Sequence, residues 1–293
     1  MPLATIVCVK FAGHLEDAPK ADYVVIMINL MPPYKKGPKV AVIRLHGVIG
    51  GASRLSGNVL NDVSTAPLIE RAFAKGKPKA IALSVNSPGC SPVQSSLIAS
   101  RIRRLADEQK IPVYGFCEDV AASGGYWLAT AADQIFVDRS SIIGSIGVIS
   151  ASFGLDAFIA RHGIERRVHT AGEDKSMLDP FRPEREADVE RLKNLQSVIH
   201  ENFIQQVMQS RGSRLKRTDV FTGEIWAGEA AVDLGLVDGI GHLVPKMKEL
   251  YGDDVKFSVT QPRRSLFQRI GAPGVHDFWS AVEDRLAWAR FGQ

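Results

Sequence analysis

Cysteine is scarce in this chain. Cys8, Cys90 and Cys117 are the whole complement, an odd and widely spaced set that forms neither a disulfide framework nor a zinc pattern and points to a reducing compartment. A membrane-spanning run is missing as well. The one long apolar stretch near the start, Tyr23 to Met31, is nine residues and contains Asn29, whereas a helix needs about 20 to cross a bilayer. The start also lacks a basic segment leading into an apolar one with a small-residue cleavage site, so no secretory leader is visible. A cytoplasmic protein is expected, with membrane contact at most peripheral at the inner face of the cell membrane. Charge of one sign is in short supply too: Lys plus Arg (36) against Asp plus Glu (32) leaves +4. The basic residues fall in small clusters such as Arg166-Arg167 and Arg263-Arg264, which argues against a nucleic-acid partner.

What is present is a chain of 293 residues with 45% apolar content, enough to bury a full core. Met31-Pro32-Pro33-Tyr34-Lys35-Lys36-Gly37 reads as a linker, giving an N-terminal extension over 1–37, a main domain over 38–262 and a C-terminal amphipathic tail over 263–293. Val40 to Leu45, Lys79 to Val85, Val113 to Phe116, Gln134 to Val137 and Ile146 to Ser150 read as short buried strands. Helical spacing separates them, from Val59 to Ala74, around Leu97 to Leu105, from about Ser123, and from Phe153 to His162. A longer stripe, Val189, Leu192, Leu195, Ile199, Phe203 and Val207, runs down a helix opened by Pro183 and is expected to face the core. The alternation predicts an α/β fold. In the tail, Phe278, Trp279, Val282, Leu286 and Ala289 share one arc, more suited to packing on protein than on lipid.

Ser123 stands out. In Ala121-Ala122-Ser123-Gly124-Gly125-Tyr126 a single hydroxyl sits among small residues, the frame a backbone-crowded nucleophile needs. A serine hydroxyl becomes a useful nucleophile only when a nearby base takes its proton. Seven histidines, at positions 14, 46, 162, 169, 200, 242 and 276, leave a Ser-His arrangement open, yet none has a motif around it. The G-x-S-x-G elbow is absent because Ala121 precedes Ser123 by two. Lys175 lies in the small polar loop Thr170 to Ser176, where spacing and composition do not single it out.

Five ordered motifs resolve the ambiguity by resemblance. Asn86-Ser87-Pro88-Gly89, Val120 to Tyr126, Gly144-Ser145-Ile146-Gly147-Val148, Ala171-Gly172-Glu173-Asp174-Lys175 and Thr222-Gly223-Glu224-Ile225-Trp226 together resemble the signal peptide peptidase A (protease IV) family of Ser/Lys-dyad serine peptidases, in its short single-domain form. The resemblance runs from about Val40 to Leu243. It implies a crotonase/Clp-protease-like fold of stacked strand-strand-helix units, with Ser123 as nucleophile, Lys175 as general base 52 positions later and Ser145 orienting that base. The N–H groups of Gly89 and Gly124 would hold the oxyanion. It further implies peptide or protein substrates such as apolar signal peptide remnants or misfolded segments, a ring-like homo-oligomer, and neither cofactor nor metal. A free lysine is almost wholly protonated at neutral pH, so Lys175 is expected to be buried. Cys90 stands where relatives commonly have a second glycine. Two rival readings remain: a crotonase-like enzyme handling acyl-coenzyme A, which would use carboxylate bases, and a catalytically silent oligomeric scaffold.

Overall fold

In a computed structural model of the chain, the residues described are 37–51, 59–172, 174–260, 285 and 287–292. The chain divides into two units, Met1–Gly37 and Pro38–Gln293; the first lies almost wholly outside the described residues, as do most of the C-terminal arc and its Phe278, Trp279 and Val282. Within the second unit the elements follow in order: β1 (Lys39–His46), α1 (Asp62–Ala74), β2 (Ala80–Ser87), α2 (Pro92–Gln109), β3 (Val113–Ala122), α3 (Gly124–Ala129), β4 (Gln134–Val137), β5 (Ile142–Gly144), α4 (Asp156–Arg161), α5 (Glu186–Arg211), β6 (Ile225–Ala227), α6 (Gly228–Leu234), β7 (Gly239–Ile240), α7 (Leu243–Tyr251) and β8 (Lys256–Thr260). This is a mixed α/β fold around a mostly parallel sheet of order β6-β5-β3-β2-β1-β8, with β4 against β3 and β7 against β4. Among the described strands the one antiparallel pair is β5 with β6.

The central strands are buried on both faces, as parallel strands covered by helices must be. Ile43, Leu45, Ile81, Leu83 and Val85 pack with Ile69, Phe73, Ile98 and Ile102 of α1 and α2 on one face. Val40, Val42, Ala80, Ala82, Phe116 and Phe136 meet Met247 of α7 on the other. Helix starts are set by side chains. Asn61 and Ser64 form a reciprocal capping box on α1, and Ser91 caps α2 with Pro92 in the first turn, where its missing N–H is harmless.

Strand β3 has a break that steers its far end. Val85 pairs with Cys117 and Ser87 with Ala121, so two steps along β2 match four along β3. The first half of β3 pairs with β4, up to Cys117 with Val137. Beyond the bulge the same strand pairs with β5, through Val120–Ile142, Ala121–Ile143 and Ala122–Gly144. A bulge bends and twists its strand, and here it hands the end of β3 from one neighbour to another.

The sequence expectations for β1, β2, β4 and the helix after Ser123 agree with these elements. The expected strand at Ile146 to Ser150 does not: the strand is Ile142–Gly144, and it ends because Gly144 and Ser145 take φ of 109° and 51°, outside the extended region. Helix α5 begins at Glu186 rather than at Pro183. Its apolar stripe divides, with Phe203 and Val207 buried and Leu195 56% exposed.

Candidate active site

Three parallel strands end at one place. β2 runs into Ser87-Pro88-Gly89, β3 into Ser123 and β5 into Ser145, and the carboxyl ends of parallel strands are where α/β sheets place their ligand sites. A cleft of about 820 Å³ opens there, and Pro88, Cys90, Ser123, Gly124 and Ser145 all line it. Its far wall comes from α5, through Leu192, Leu195, Ile199, His200 and Phe203, with Thr222 and Gly223 ahead of β6. Ala287 and Arg290 of the tail reach it as well.

Ser123 sits at the turn from β3 into α3 with φ 52° and ψ −124°, a conformation that costs a non-glycine residue about 1–3 kcal/mol. The main chain holds it there: Ser123 N–H donates to Gly144 O at 2.8 Å and Trp127 N–H donates to Ser123 O at 3.0 Å. Helix α3 is buried along its whole length, and its Trp127 stacks on Phe203 with ring centroids 4.8 Å apart, so the nucleophile candidate stands on a rigid base. Gly124 is the first residue of that helix, and its N–H has no carbonyl within the helix to donate to.

The glycines around Ser123 are explained by close approach. A methyl group on Gly89 would lie 2.5 Å from Gly124 N and 2.9 Å from Ser123 Cβ, and one on Gly125 would lie 2.2 Å from Ser87 O. The β2 turn and the β3–α3 turn therefore touch backbone to backbone. Gly89 O accepts from Ile49 N–H at 2.7 Å, Ser91 N–H donates to Ile49 O at 2.9 Å, and Gly89 N–H donates to Ser87 Oγ at 3.2 Å. Cys90 takes φ 118°, in the region that favours glycine. Ser145 also has positive φ, and its N–H donates to Glu224 O at 2.7 Å, which ties β5 to the Thr222–Trp226 motif.

Lys175 is elsewhere. Sequence reasoning expected it buried beside Ser123; it is exposed, in a turn where its N–H donates to Gly172 O at 3.3 Å, and it is not among the residues lining the cleft. From Ile149 to Lys175 none of the described residues is buried, and Phe153, Phe158 and Ile164 are 84%, 57% and 54% exposed. The segment is fastened to the turn that follows it by Leu155 N–H on Pro180 O and by Arg166 on Asp179, and to α5 by Arg191 on Asp174. Hydrogen bonding from the Phe181 N–H, with Arg166 beside it, holds the Asp179 carboxyl below the usual carboxylate range.

Residues that sequence reasoning passed over also reach the site. His200, read as a surface or capped histidine, donates its Nε2–H to Ile146 O at 3.0 Å and lines the cleft. No local pattern marks it, because a histidine on a helix carries no motif; only the chain's return past β5 brings it there. Ser95 is buried against Gly124, its Oγ donating to Ser91 O at 2.8 Å. Among the described residues no group of His, Cys, Asp and Glu is arranged to hold a metal ion.

The sequence profile of peptidase family S49 matches residues 106–252, which takes in β3, α3, the Lys175 turn and α5. The chain belongs to peptidase family S49. This is a family of Ser/Lys-dyad serine peptidases related to signal peptide peptidase, as the ordered motifs implied. Among similar proteins, Protease 4 of Salmonella typhi is 33% identical over 229 residues, 76% of this chain and 36% of that protein. A putative protease of Methanocaldococcus jannaschii is 32% identical over 173 residues, 59% of this chain and 55% of that protein. A Brucella melitensis protein named Na(+)/H(+) antiporter NhaA is 45% identical over 274 residues, 87% of this chain but 37% of that protein. The S49 chain thus spans a third to a little over half of these relatives, and most of the antiporter-named protein lies outside the match. No helix among the described residues is long and apolar enough to cross a membrane.

Proposed function

We propose that this S49 chain is a serine endopeptidase for apolar peptide segments, in which Ser123 attacks the scissile carbonyl and Lys175 of a neighbouring copy serves as base. The observation that carries the reading is the convergence of Ser123, Gly124 and Ser145 on one apolar-walled cleft at the strand ends. A neutral Lys175 amine would take the Ser123 Oγ proton as the oxygen bonds to the carbonyl carbon. The oxyanion would accept from Gly124 N–H, and from Gly89 N–H once that donor exchanges the Ser87 hydroxyl for the stronger charged acceptor. The lysine would then protonate the leaving amine, and in the second half take a proton from the water that hydrolyses the acyl-enzyme. Ser145, on the cleft wall, would orient the amine.

Two features support a base arriving from a second copy. Lys175 is exposed on its own chain, and docking into an apolar cleft supplies the desolvation that a lysine base requires. The segment that carries it also exposes Phe153, Phe158 and Ile164, apolar side chains that a contact with a second copy would cover. A ring of such contacts would give each cleft its lysine. Val148, Ile149, Leu192, Leu195 and Ile199 line the cleft and favour apolar side chains, such as those of signal peptide remnants.

The acyl-coenzyme A reading is disfavoured by the same lining, since no Asp or Glu is among the described residues of the cleft wall. Hydrolysis of an apolar peptide by the wild type, lost by at least about 1,000-fold in Ser123→Ala, tests the assignment. Turnover undiminished in Ser123→Ala, or acyl-coenzyme A binding without peptide hydrolysis, would sink it.

A further inference from the structure

The bulge in β3 is pinned from the side by two carboxylates that the proposed chemistry does not use. Opposite Asn86 the strand carries Glu118, Asp119 and Val120 between its paired residues Cys117 and Ala121, two more than a regular ladder holds. Those residues lack ordinary ladder partners on β2, and side chains replace them. Asn86 Oδ1 accepts from Val120 N–H at 3.1 Å, while Asn86 Nδ2 donates to Asp119 Oδ2 at 2.7 Å. Glu118 is held by Ser84, whose hydroxyl donates to Glu118 Oε1 at 2.6 Å. That proton being spent, His46 Nε2–H is the donor to Ser84 Oγ, at 2.6 Å. The pin thus runs from β1 through β2 to β3.

The pin adjoins both turns of the site. Asn86 immediately precedes the Ser87-Pro88-Gly89 turn, its own carbonyl accepts from Gly47 N–H at 2.9 Å, and Asp119 lies four residues before Ser123. The bulge is also where β3 leaves β4 for β5, so it sets the direction in which Ala121, Ala122 and Ser123 arrive against Gly89. We propose that Asn86 and Asp119 are positioning residues, a carboxamide–carboxylate brace that fixes the spacing of Ser123 and the Gly124 N–H from the Gly89 turn. The inference rests on the reading of Ser123 as nucleophile, and it concerns geometry and not proton transfer.

The test uses the full chain and an apolar peptide substrate, with amide exchange at Val120 as a second readout. Asn86→Asp is nearly isosteric and sets two carboxylates face to face. It is expected to lower kcat about 100-fold, as displacements near 1 Å do, with KM held within about twofold and Val120 exchange accelerated. Adding Asp119→Asn recreates the same two hydrogen bonds with the groups exchanged: the carboxylate now at position 86 accepts from both Val120 N–H and the carboxamide now at position 119. This double variant is expected to restore kcat and slow exchange. A double variant as impaired as the single one overturns the proposal, as does Asn86→Asp at wild-type kcat. Faster Val120 exchange with unchanged kcat would show a brace that matters to stability alone, and also overturns it. If Ser123→Ala retains hydrolysis while the exchange pattern follows the brace, the nucleophile assignment fails and the brace does not.

Discussion

Gly89 lies against Ser123 so closely that a methyl group on it would come within 2.9 Å of Ser123 Cβ and 2.5 Å of Gly124 N. Two turns from different strands therefore share one van der Waals envelope, and the hydroxyl is held beside the first N–H of α3. Much of the chemistry proposed for this S49 chain depends on that approach.

Gly89→Ala should be the more damaging of two glycine substitutions. Its φ of 94° and the backbone atoms it would meet leave nothing able to yield, so a loss of about 1–3 kcal/mol in stability is expected, together with loss of hydrolysis. Gly124→Ala meets the Ser95 hydroxyl at 2.4 Å. Adding Ser95→Ala removes that oxygen and should recover part of the stability, so denaturant unfolding of the two single variants and the double should be non-additive.

Cys90 carries two predictions, one on stability and one on reactivity. With φ at 118° it occupies a conformation suited to glycine, and Cys90→Gly should raise the thermal midpoint through relief of about 1 kcal/mol of strain. Cys90 is exposed and lines the cleft, whereas burial pushes the Cys117 thiol up to about 12. In a Cys8→Ser background, alkylation at neutral pH should modify Cys90, spare Cys117 and block hydrolysis. Mass mapping that finds Cys117 modified in the folded chain would contradict the burial argument.

Acid should release the clamp between α1 and α2. Asp62 accepts from Arg101 Nε and Nη2, each at 2.8 Å, and this hydrogen bonding holds its carboxyl below the ordinary range. A lowered folded-state value means the stabilisation is present above the unfolded value near about 3.9 and is lost as pH falls through the folded one. The stability difference between wild type and Asp62→Asn should be constant from about pH 5 to 8 and shrink below about pH 4. A difference independent of pH would contradict it.

The sequence was legible where one rule acted alone. β1 and β2 are short apolar runs closed by Gly or Pro, and their burial on both faces follows. Ile146 to Ser150 looked the same but lies in the loop after Ser145, because positive φ at Gly144 and Ser145 ends the strand first, and backbone sign is invisible in an apolar run. The strand expected to stop at Phe116 instead runs on to Ala122, because side chains from β1 and β2 let β3 continue through Glu118 and Asp119. Ser123 was recognisable from its small neighbours. The exposure of Lys175 was not, since local composition does not say whether a loop folds back on its own chain or reaches another.

Whether Lys175 serves the cleft of a neighbouring copy can be measured directly. Ser123→Ala and Lys175→Ala are prepared separately, each expected to be inactive, and then co-assembled at equal amounts while peptide hydrolysis and oligomer size are followed. If each cleft takes its serine from one copy and its lysine from the next, random mixing in a head-to-tail ring gives about a quarter of the sites both groups, and hydrolysis should return to about that fraction. Mixed oligomers that form and stay inactive, or a Lys175→Ala protein active by itself, would contradict it.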